Sequence, residues 1–413
     1  MIAPVTALSP DFDPWIDENF ADPISIYDMM RDCDPVHWNQ RRQLWFISSY
    51  ADVTKVLRDR AHFAAAPFQA ERPHMERTKT DQHREFAATT MLTTEPPRHT
   101  RLRTPANPSF SPRHMKKFEA EIERIADRLL DAVSGQDEWD VIANYAYPLP
   151  VLVITALLGI SPEDEQELMS MVRADTALLA IDPRASQETI DHYAQMGHRI
   201  DPFVHRVVEQ RRSQPPSGDL MSALIHEEQE GRYSPQELMA TVHLMIEAGH
   251  VTTVNLIGNG VNLLLDDTAR IRALKERPEL ARSAAEECLR LDGPVHFAGR
   301  IAIADTALRG RKIAKGDVVI NLFPPANRDP AQFPNPTEFV IDRSPNSPTN
   351  FGAGIHHCIG ANLARAEAAV AFRKLAERFP KIDRAKEPVR QRTFELRGFR
   401  ELLVRSNGDG HSE

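Results

Sequence analysis

Apolar side chains at helical spacing dominate the middle of the chain. Charged residues alternate with such a series over residues 118–133, which predicts an amphipathic helix. The apolar positions are Phe118, Ile122, Ile125, Leu129, Leu130 and Val133. Ser161 and Ser234 are each followed by a proline and have an acidic residue within the first turn, a pattern that is typical of a helix start. The helix that opens at Ser234 extends to about Leu265, which is an unusual length.

Strand signals are short and lie outside this helical middle. The candidates are residues 44–47, 301–303 and 317–322. Two proline-rich stretches, residues 323–330 and 333–348, are predicted to be irregular but ordered. Because no repeat, low-complexity block or linker divides the sequence, we expect one mostly α-helical domain over residues 1–413, with a small β region.

Composition and charge exclude several classes of partner and location. The 413 residues carry 50 basic and 59 acidic side chains, a net charge of −9, which argues against nucleic acid or an anionic membrane as the main partner. Three cysteines that are far apart indicate a reducing compartment without a disulfide framework. The N-terminal residues lack a basic and then apolar leader, and the longest apolar run, residues 148–160, is too short for a bilayer. We therefore expect a cytoplasmic protein.

The candidate chemistry centres on the segment FGAGIHHCIG around Cys358. Gly352 and Gly354 can adopt positive φ angles that other residues resist. A strongly helical segment follows, so the Cys358 sulfur is expected at a helix N-terminus, where a thiolate is favoured. For the residue alone, an inert buried cysteine remains the alternative. A zinc site from His356, His357 and Cys358 is disfavoured because three tandem side chains cannot converge on one metal.

The same ten residues resemble the heme-binding loop of the cytochrome P450 family, FGxGxHxCxG, at all six specified positions. The resemblance extends in order over nearly the whole chain and implies the cytochrome P450-like fold, about half helical, with heme b as the cofactor. It implies that Cys358 ligates the iron axially. Phe351 would shield the sulfur, while Gly352 and Gly360 would allow backbone N–H groups to approach it.

The resemblance also implies four donors for the two heme propionates. His99 and Arg103 lie four residues apart in EPPRHTRLR, on one face of a predicted helix. Arg300 and His356 complete the set. Charged donors form strong hydrogen bonds with buried carboxylates.

The oxygen-activating element is expected in the long central helix, where AGHVTT resembles the family's A-G-x-D/E-T-T. By resemblance, Ala248 and Gly249 leave room for oxygen, and Thr252 helps to deliver protons to it. A bland alternative is that Thr252 only bonds back to a carbonyl one turn earlier. Val251 replaces the usual acid, and Glu247 lies four residues before it on the same helix face. Glu247 is therefore our candidate proton relay.

A further pair resembles the family's structural E-x-x-R. Glu287 and Arg290 lie three residues apart on one helix face and can pair. The family's third partner is an arginine in P-x-R-F, but residues 336–339 read PTEF. Arg343 is a possible substitute.

The implied activity is insertion of one oxygen atom of O2 into a small organic substrate, and we expect a specialised metabolite. No reductase-like segment is present, so a separate ferredoxin or flavodoxin-type protein with its reductase should supply electrons to a monomeric chain. One alternative is a heme-thiolate enzyme that performs peroxide-driven oxidation, oxidative coupling or rearrangement. The other is a non-enzymatic heme sensor.

Two residue sets complete the expectations. Substrate contacts suggested by the resemblance are Leu92, Leu178, Met245, Val295, His296, Phe297 and Leu396. A basic patch behind Cys358, which would dock an acidic electron donor, comprises Arg113, Lys116, Lys117, Arg365, Arg373 and Lys374.

Overall fold

Helices make up 54% of the computed structural model, as the hydrophobic pattern predicts. The structure describes residues 8–16, 19, 22–65, 89–179, 199–391 and 393–406. Its helices are α1 Ile24–Cys33, α2 Tyr50–Arg58, α3 Arg98–Arg103, α4 Pro112–Val133, α5 Pro148–Leu158, α6 Pro162–Leu179, α7 Ile200–Arg212, α8 Leu220–Gln229, α9 Pro235–Leu265, α10 Thr268–Glu276, α11 Ala281–Asp292, α12 Phe323–Asn327 and α13 Ala361–Arg378. None of the helices in these ranges is both long and apolar enough to cross a bilayer.

The strands form one larger sheet and three small ones. They are β1 Val36–Asn39, β2 Leu44–Ile47, β3 Phe63–Ala65, β4 Glu138–Asp140, β5 Phe297–Ala302, β6 Thr306–Leu308, β7 Arg311–Ile313, β8 Val318–Leu322, β9 Ile382–Arg384, β10 Val389–Arg390, β11 Phe399–Glu401 and β12 Leu403–Ser406. The larger sheet has the order β1-β2-β8-β5-β3 and is antiparallel except between β2 and β8. A three-stranded sheet has the order β4-β12-β9.

Helix α9 is the central element of the helical region. Ser234 caps it by accepting a hydrogen bond from the Glu237 amide (3.1 Å), and the Glu237 carboxylate accepts one from the Ser234 amide (3.0 Å). The helix ends at Leu265 and packs against α5, α7, α11 and α13. The predicted start, end and length of this helix are confirmed.

Three hydrophobic clusters hold these layers together. The largest lies among the helices and includes Leu130, Leu152, Ile257 and Phe372, all buried. The two smaller clusters lie on either side of the larger sheet because successive strand residues point to opposite faces. In β8, Val319 belongs to one cluster and Ile320 to the other.

The structure corrects the bounds of two predicted elements. The strand expected at 301–303 begins earlier, at Phe297, because Phe297 pairs with Leu322 at the start of an antiparallel ladder with β8. The helix expected from residue 118 begins at Pro112, where Ser111 caps it. Strand Leu44–Ile47 is confirmed.

One prediction about the proline-rich stretches is wrong. Residues 323–330 were expected to be irregular, but helix α12 occupies Phe323–Asn327. Its prolines lie in the first turn, where the missing N–H would have no intrahelical partner. Buried Asn327 then accepts hydrogen bonds from the Thr349 amide (2.7 Å) and hydroxyl (2.9 Å), which ties α12 to the segment before Cys358.

Candidate active site

The Cys358 loop is held by its backbone and its glycines. The Cys358 amide donates a hydrogen bond to the Phe351 carbonyl (2.8 Å). Gly352 and Gly354 have φ angles of +67° and +74°, so the predicted positive φ angles are confirmed. A Cβ atom on Gly354 would lie only 2.7 Å from the Leu57 carbonyl oxygen. Only glycine therefore fits at this second position.

The Cys358 side chain is accessible at the N-terminal side of α13, although protein atoms surround it. Burial raises the pKa of its thiol, against the Gly360 amide and the nearby cations of Arg103 and Arg365. The thiolate expected at this helix N-terminus remains a prediction. A coordinated metal would still deprotonate such a thiol. Arg365 also lies over the Phe351 ring, at 4.4 Å from its centroid.

Three of the predicted propionate donors gather beside this loop. The His99 and His356 rings lie 4.5 Å apart, and Arg103 donates a hydrogen bond to the His357 carbonyl (2.6 Å). Burial, and then the proximity of His356 and Arg103, lowers the pKa of His99 to about 4. Burial also lowers the pKa of His356. N–H donors are therefore concentrated beside the Cys358 loop, and the lowered pKa values favour neutral His99 and His356 rings.

Glu95 also contacts this cluster, and the sequence analysis missed it. Its carboxylate accepts hydrogen bonds from the His356 ring (3.2 Å) and from the Ala65 amide (2.8 Å). Buried Arg300 acts in the opposite direction, since its charge contributes to the lowered pKa of His356. The available signal was position, because Glu95 opens the same EPPRHTRLR segment as His99.

These residues fit a heme. The His99 Nε2 atom is buried and has no hydrogen-bond partner within the described part of the chain. An unsatisfied buried N–H or lone pair is costly, so a bound polar group is the natural partner. The set offers a sulfur ligand for iron and N–H donors for two carboxylates.

Helix α9 presents a small accessible surface at the expected oxygen-activating segment. Ala248 is exposed and Thr252 is half-buried, although most of the helix is buried. The Thr252 hydroxyl donates a hydrogen bond to the Ala248 carbonyl (3.0 Å), as the bland alternative predicts. A Cβ atom on Gly249 would meet Ile154 at 3.5 Å, an ordinary contact. Packing therefore does not require glycine at position 249.

Helix α9 also contains Val251, which replaces the family's usual acid, and its neighbours Glu247 and His250. Val251 is buried and packs. Glu247 is half-buried and makes no hydrogen bond or ion pair with any described residue. His250 is buried edge-on against the Tyr147 ring, with centroids 4.6 Å apart. Among the described residues, Glu247 is thus uncommitted, and no hydrogen bond joins its carboxylate to Thr252.

The Glu287 cluster has three members, as in the family pattern. Arg290 forms two hydrogen bonds of 2.8 Å with the fully buried Glu287 carboxylate. Arg343 donates from Nε at 3.0 Å, so it occupies the place left by the missing P-x-R-F arginine. The Val340 amide (2.9 Å) and the Asn346 side chain (3.0 Å) complete the shell.

The suggested substrate contacts separate into different environments. Leu92 is 49% exposed, whereas Met245 and Leu396 are buried. Partly buried Val295 forms a β-bridge with Leu396. Leu178 lies in α6, but its side chain, like residues 66–88 and 180–198, lies outside the description.

Two of these suggested contacts pack against aromatic side chains near the N-terminus. Phe297 packs against Trp15 in the N-terminal aromatic cluster, with ring centroids 4.7 Å apart. His296 packs edge-on against Tyr27 (5.9 Å), and burial lowers its pKa to about 3. Both side chains are buried, as are Met245 and Leu396, so the substrate contacts of all four remain predictions.

The predicted basic patch divides into two halves. Three of its cations are neutralised by ion pairs, namely Arg365 with Glu286, Arg373 with Glu123 and Lys374 with Asp127. The other three, Arg113, Lys116 and Lys117, are exposed in the first turns of α4 and form no ion pair with any residue in the described ranges. The net positive surface is therefore smaller than the sequence suggested.

Comparison with known proteins places these features in one family. The model of the family described as Cytochrome P450 matches residues 35–276 and 270–396. Cytochrome P450 CYP107DY1 of Priestia megaterium is 40% identical over 297 residues, covering 71% of this chain and 70% of that protein. Polyketide biosynthesis cytochrome P450 PksS of Bacillus subtilis is 33% identical, covering 95% and 98%. The crystal structure of P450BioI, in complex with hexadec-9Z-enoic acid ligated acyl carrier protein, has a TM-score of 0.83 and 31% identity, covering 94% and 99%.

Proposed function

This chain belongs to the cytochrome P450 family and is a monooxygenase that carries heme b, and from that premise we propose its ligand, electron donor and substrate class. Cys358 is the proposed axial ligand of the iron. The substrate is a small specialised metabolite. A separate ferredoxin or flavodoxin-type protein supplies the electrons.

The accessible Cys358 thiol in its glycine-shaped loop carries this proposal. His99, Arg103, Arg300 and His356 would hold the propionates, and the unpartnered His99 nitrogen supports that role. When bound, heme b supplies the iron at which O2 is activated and from which one oxygen atom reaches the substrate.

Proton delivery falls to Thr252 in this proposal. Its hydroxyl donates to the Ala248 carbonyl, so its oxygen lone pairs can accept a hydrogen bond from a water on the accessible side of α9 and hold that water, which would deliver the proton. Buried Val251 can carry no proton. Glu247 is the nearest uncommitted acid in the sequence and would act through water, while a substrate hydroxyl or carboxyl is the competing source.

The electron donor would dock on Arg113, Lys116 and Lys117. The Asn362 side chain, in the first turn of the helix after Cys358, donates to the Phe110 carbonyl (3.0 Å) just before α4. The start of α4 therefore adjoins the Cys358 side of α13. Unpaired exposed cations there suit an acidic partner, because complementary charge accelerates encounter.

The substrate class rests on the relatives. PksS is named for polyketide biosynthesis, and the P450BioI structure contains a fatty acid on a carrier protein. Half-exposed Leu92 and partly buried Val295 offer apolar contacts to such a molecule. Difference spectra against a panel of free and carrier-linked acyl and polyketide compounds would identify it.

The test of the ligand is Cys358→Ala. We expect loss of the far-red-shifted Soret band of the reduced carbon monoxide adduct, because that band requires a thiolate ligand. Cys33→Ala and Cys288→Ala are the controls and should retain it. An intact band in Cys358→Ala would refute the assignment.

The test of the reaction compares turnover with ferredoxin, its reductase and NAD(P)H against turnover with hydrogen peroxide. Faster product formation with the electron donor supports the monooxygenase. Turnover with peroxide alone would favour the peroxide-driven alternative, and binding without any turnover would favour a sensor.

A further inference from the structure

Helix α3 has hydrogen-bond donors on two faces, and each face contacts a different part of the protein. Arg98 and Arg101, three residues apart, both reach the Glu237 carboxylate near the start of α9. His99 and Arg103, four residues apart, instead contact the Cys358 loop. A short helix therefore bridges the oxygen-activating helix and the proposed heme anchors.

Glu237 is saturated by donors from both helices. It accepts hydrogen bonds from Arg98 Nε (3.1 Å) and from two nitrogens of Arg101 (2.6 and 2.8 Å). It also accepts one from the Ser234 amide (3.0 Å), which closes the capping box of α9. The Glu237 side chain is only 6% exposed. Hydrogen bonds from Arg101 lower its pKa to about 2, against burial, so it is ionised at neutral pH.

Two neighbouring hydrogen bonds also hold α3 against the residues just before α9. The Tyr233 hydroxyl donates to the Leu102 carbonyl, and Arg101 also donates to the Arg232 carbonyl. An isolated helix of six residues is marginal in water, because nucleation is costly. The position of α3 must therefore come from its tertiary contacts, and Glu237 pairs with both arginines on this face.

We propose that Glu237 is a positioning residue for heme binding, holding α3 on the start of α9 so that His99 and Arg103 reach the propionates. The inference rests on the proposed anchoring role of those two residues. Because Glu237 neutralises Arg98 and Arg101, His99 and Arg103 on the opposite face are the donors of α3 that remain for the two heme propionates.

The experiment measures heme release from the loaded protein to excess apomyoglobin. Glu237→Gln keeps the shape and can still cap α9, but it loses the charge that binds both arginines. We expect release to accelerate about tenfold, since bonds to charged groups are stronger than neutral ones and half-exposed arginines are partly screened. The carbon monoxide band should stay in place because Cys358 is untouched.

Asp164→Asn is the matched control. Asp164 is also a mostly buried acid in a first helical turn, bonded to Ser161 and Arg206, but in α6. It should lower the free energy of unfolding with little change in heme release. If Glu237→Gln fails to fold, the double variant Arg98→Gln, Arg101→Gln makes the same test, and in a folded triple variant the changes should not add.

The outcomes separate the two levels of the argument. Faster release in Glu237→Gln, with Asp164→Asn unchanged, supports the inference. If Arg103→Gln accelerates release but Glu237→Gln does not, or if Glu237→Gln only matches Asp164→Asn, positioning by Glu237 is wrong and the anchors stand. If neither Arg103→Gln nor Glu237→Gln changes release, the proposed anchors fail and the inference fails with them.

Discussion

Replacing Arg343 by alanine removes the partner that substitutes for the family's usual arginine. In the native protein its Nε atom lies 3.0 Å from both oxygens of the Glu287 carboxylate. Its other nitrogens donate to the carbonyls of Pro334 (2.6 Å), Asn335 (3.2 Å) and Glu338 (3.2 Å). The variant therefore removes one partner of the buried Glu287 carboxylate and the hydrogen bonds that hold residues 334–338 beside it.

The magnitude follows from what Glu287 retains. Removing the last partner of a buried charge costs about 3–5 kcal/mol. Arg290 still forms two 2.8 Å bonds to the fully buried Glu287, so the charge stays compensated. The loss is then that of one charged hydrogen bond plus partial loss of three carbonyl bonds, about 2–3 kcal/mol. Arg343→Lys keeps the charge without the fork and should cost about 1–2 kcal/mol.

The assay is urea unfolding of the heme-loaded protein, followed by far-ultraviolet circular dichroism and by the Soret band. Arg378→Ala is the control, because Arg378 and its partner Asp131 are both exposed and such pairs contribute little. A loss of less than about 0.5 kcal/mol in Arg343→Ala, or one no larger than in Arg378→Ala, would refute the structural role of Arg343.

The other predictions concern protons, charge and pH. Thr252→Ala should divert reducing equivalents to peroxide, measured as peroxide per NAD(P)H; product yield equal to the parent's would refute the role of Thr252. Glu247→Gln should slow product formation with heme intact; parental turnover with the true substrate would favour substrate-assisted or water-only protonation. Reversing Lys116 and Lys117 to glutamate should slow reduction at low salt and lose its effect at high salt, whereas reversal of exposed Lys312 and Lys315 should not; equal effects would contradict the docking site. Because the pKa of Glu237 is lowered from 4.5 to about 2, the stabilisation from its ionised carboxylate is present above pH 4.5 and lost as pH falls toward 2. Glu237→Gln should therefore reduce the dependence of the unfolding free energy on pH in acid. Urea titrations between about pH 5 and 3.5 that give the same slope for variant and parent would contradict this.

Local signals explain what the sequence could predict. The Ser234 capping box and the buried face of α9 are encoded within neighbouring residues, and so are the positive φ angles of Gly352 and Gly354. The Cys358 loop motif likewise lies within ten residues. Chemistry that is determined over one or two helical turns is readable without the fold.

Pairing between distant segments explains what the sequence could not predict. Arg343 reaches a glutamate 56 positions earlier in the chain, and only the family resemblance made it a candidate. Arg373 and Lys374 meet acids about 250 positions away, on α4. The first four residues of β5 were missed because their pairing with β8 depends on the ladder rather than on β propensity. Spacing along the chain carries no information about such partners.

Helix α3 shows why unpaired donors, rather than total charge, identify where an external anion binds. Its sequence RHTRLR carries three arginines and one histidine, which alone suggest a uniformly basic segment. Glu237 pairs with Arg98 and Arg101, while His99 keeps a buried nitrogen that no described residue bonds. The same sorting occurs at the electron-donor face. Acids on α4 neutralise Arg373 and Lys374 of α13, while the cations in the first turns of α4 form no ion pair with any described residue. In both places the charges compensated within the fold hold helices together. The uncompensated ones mark the sites proposed for the heme propionates and for the acidic electron donor.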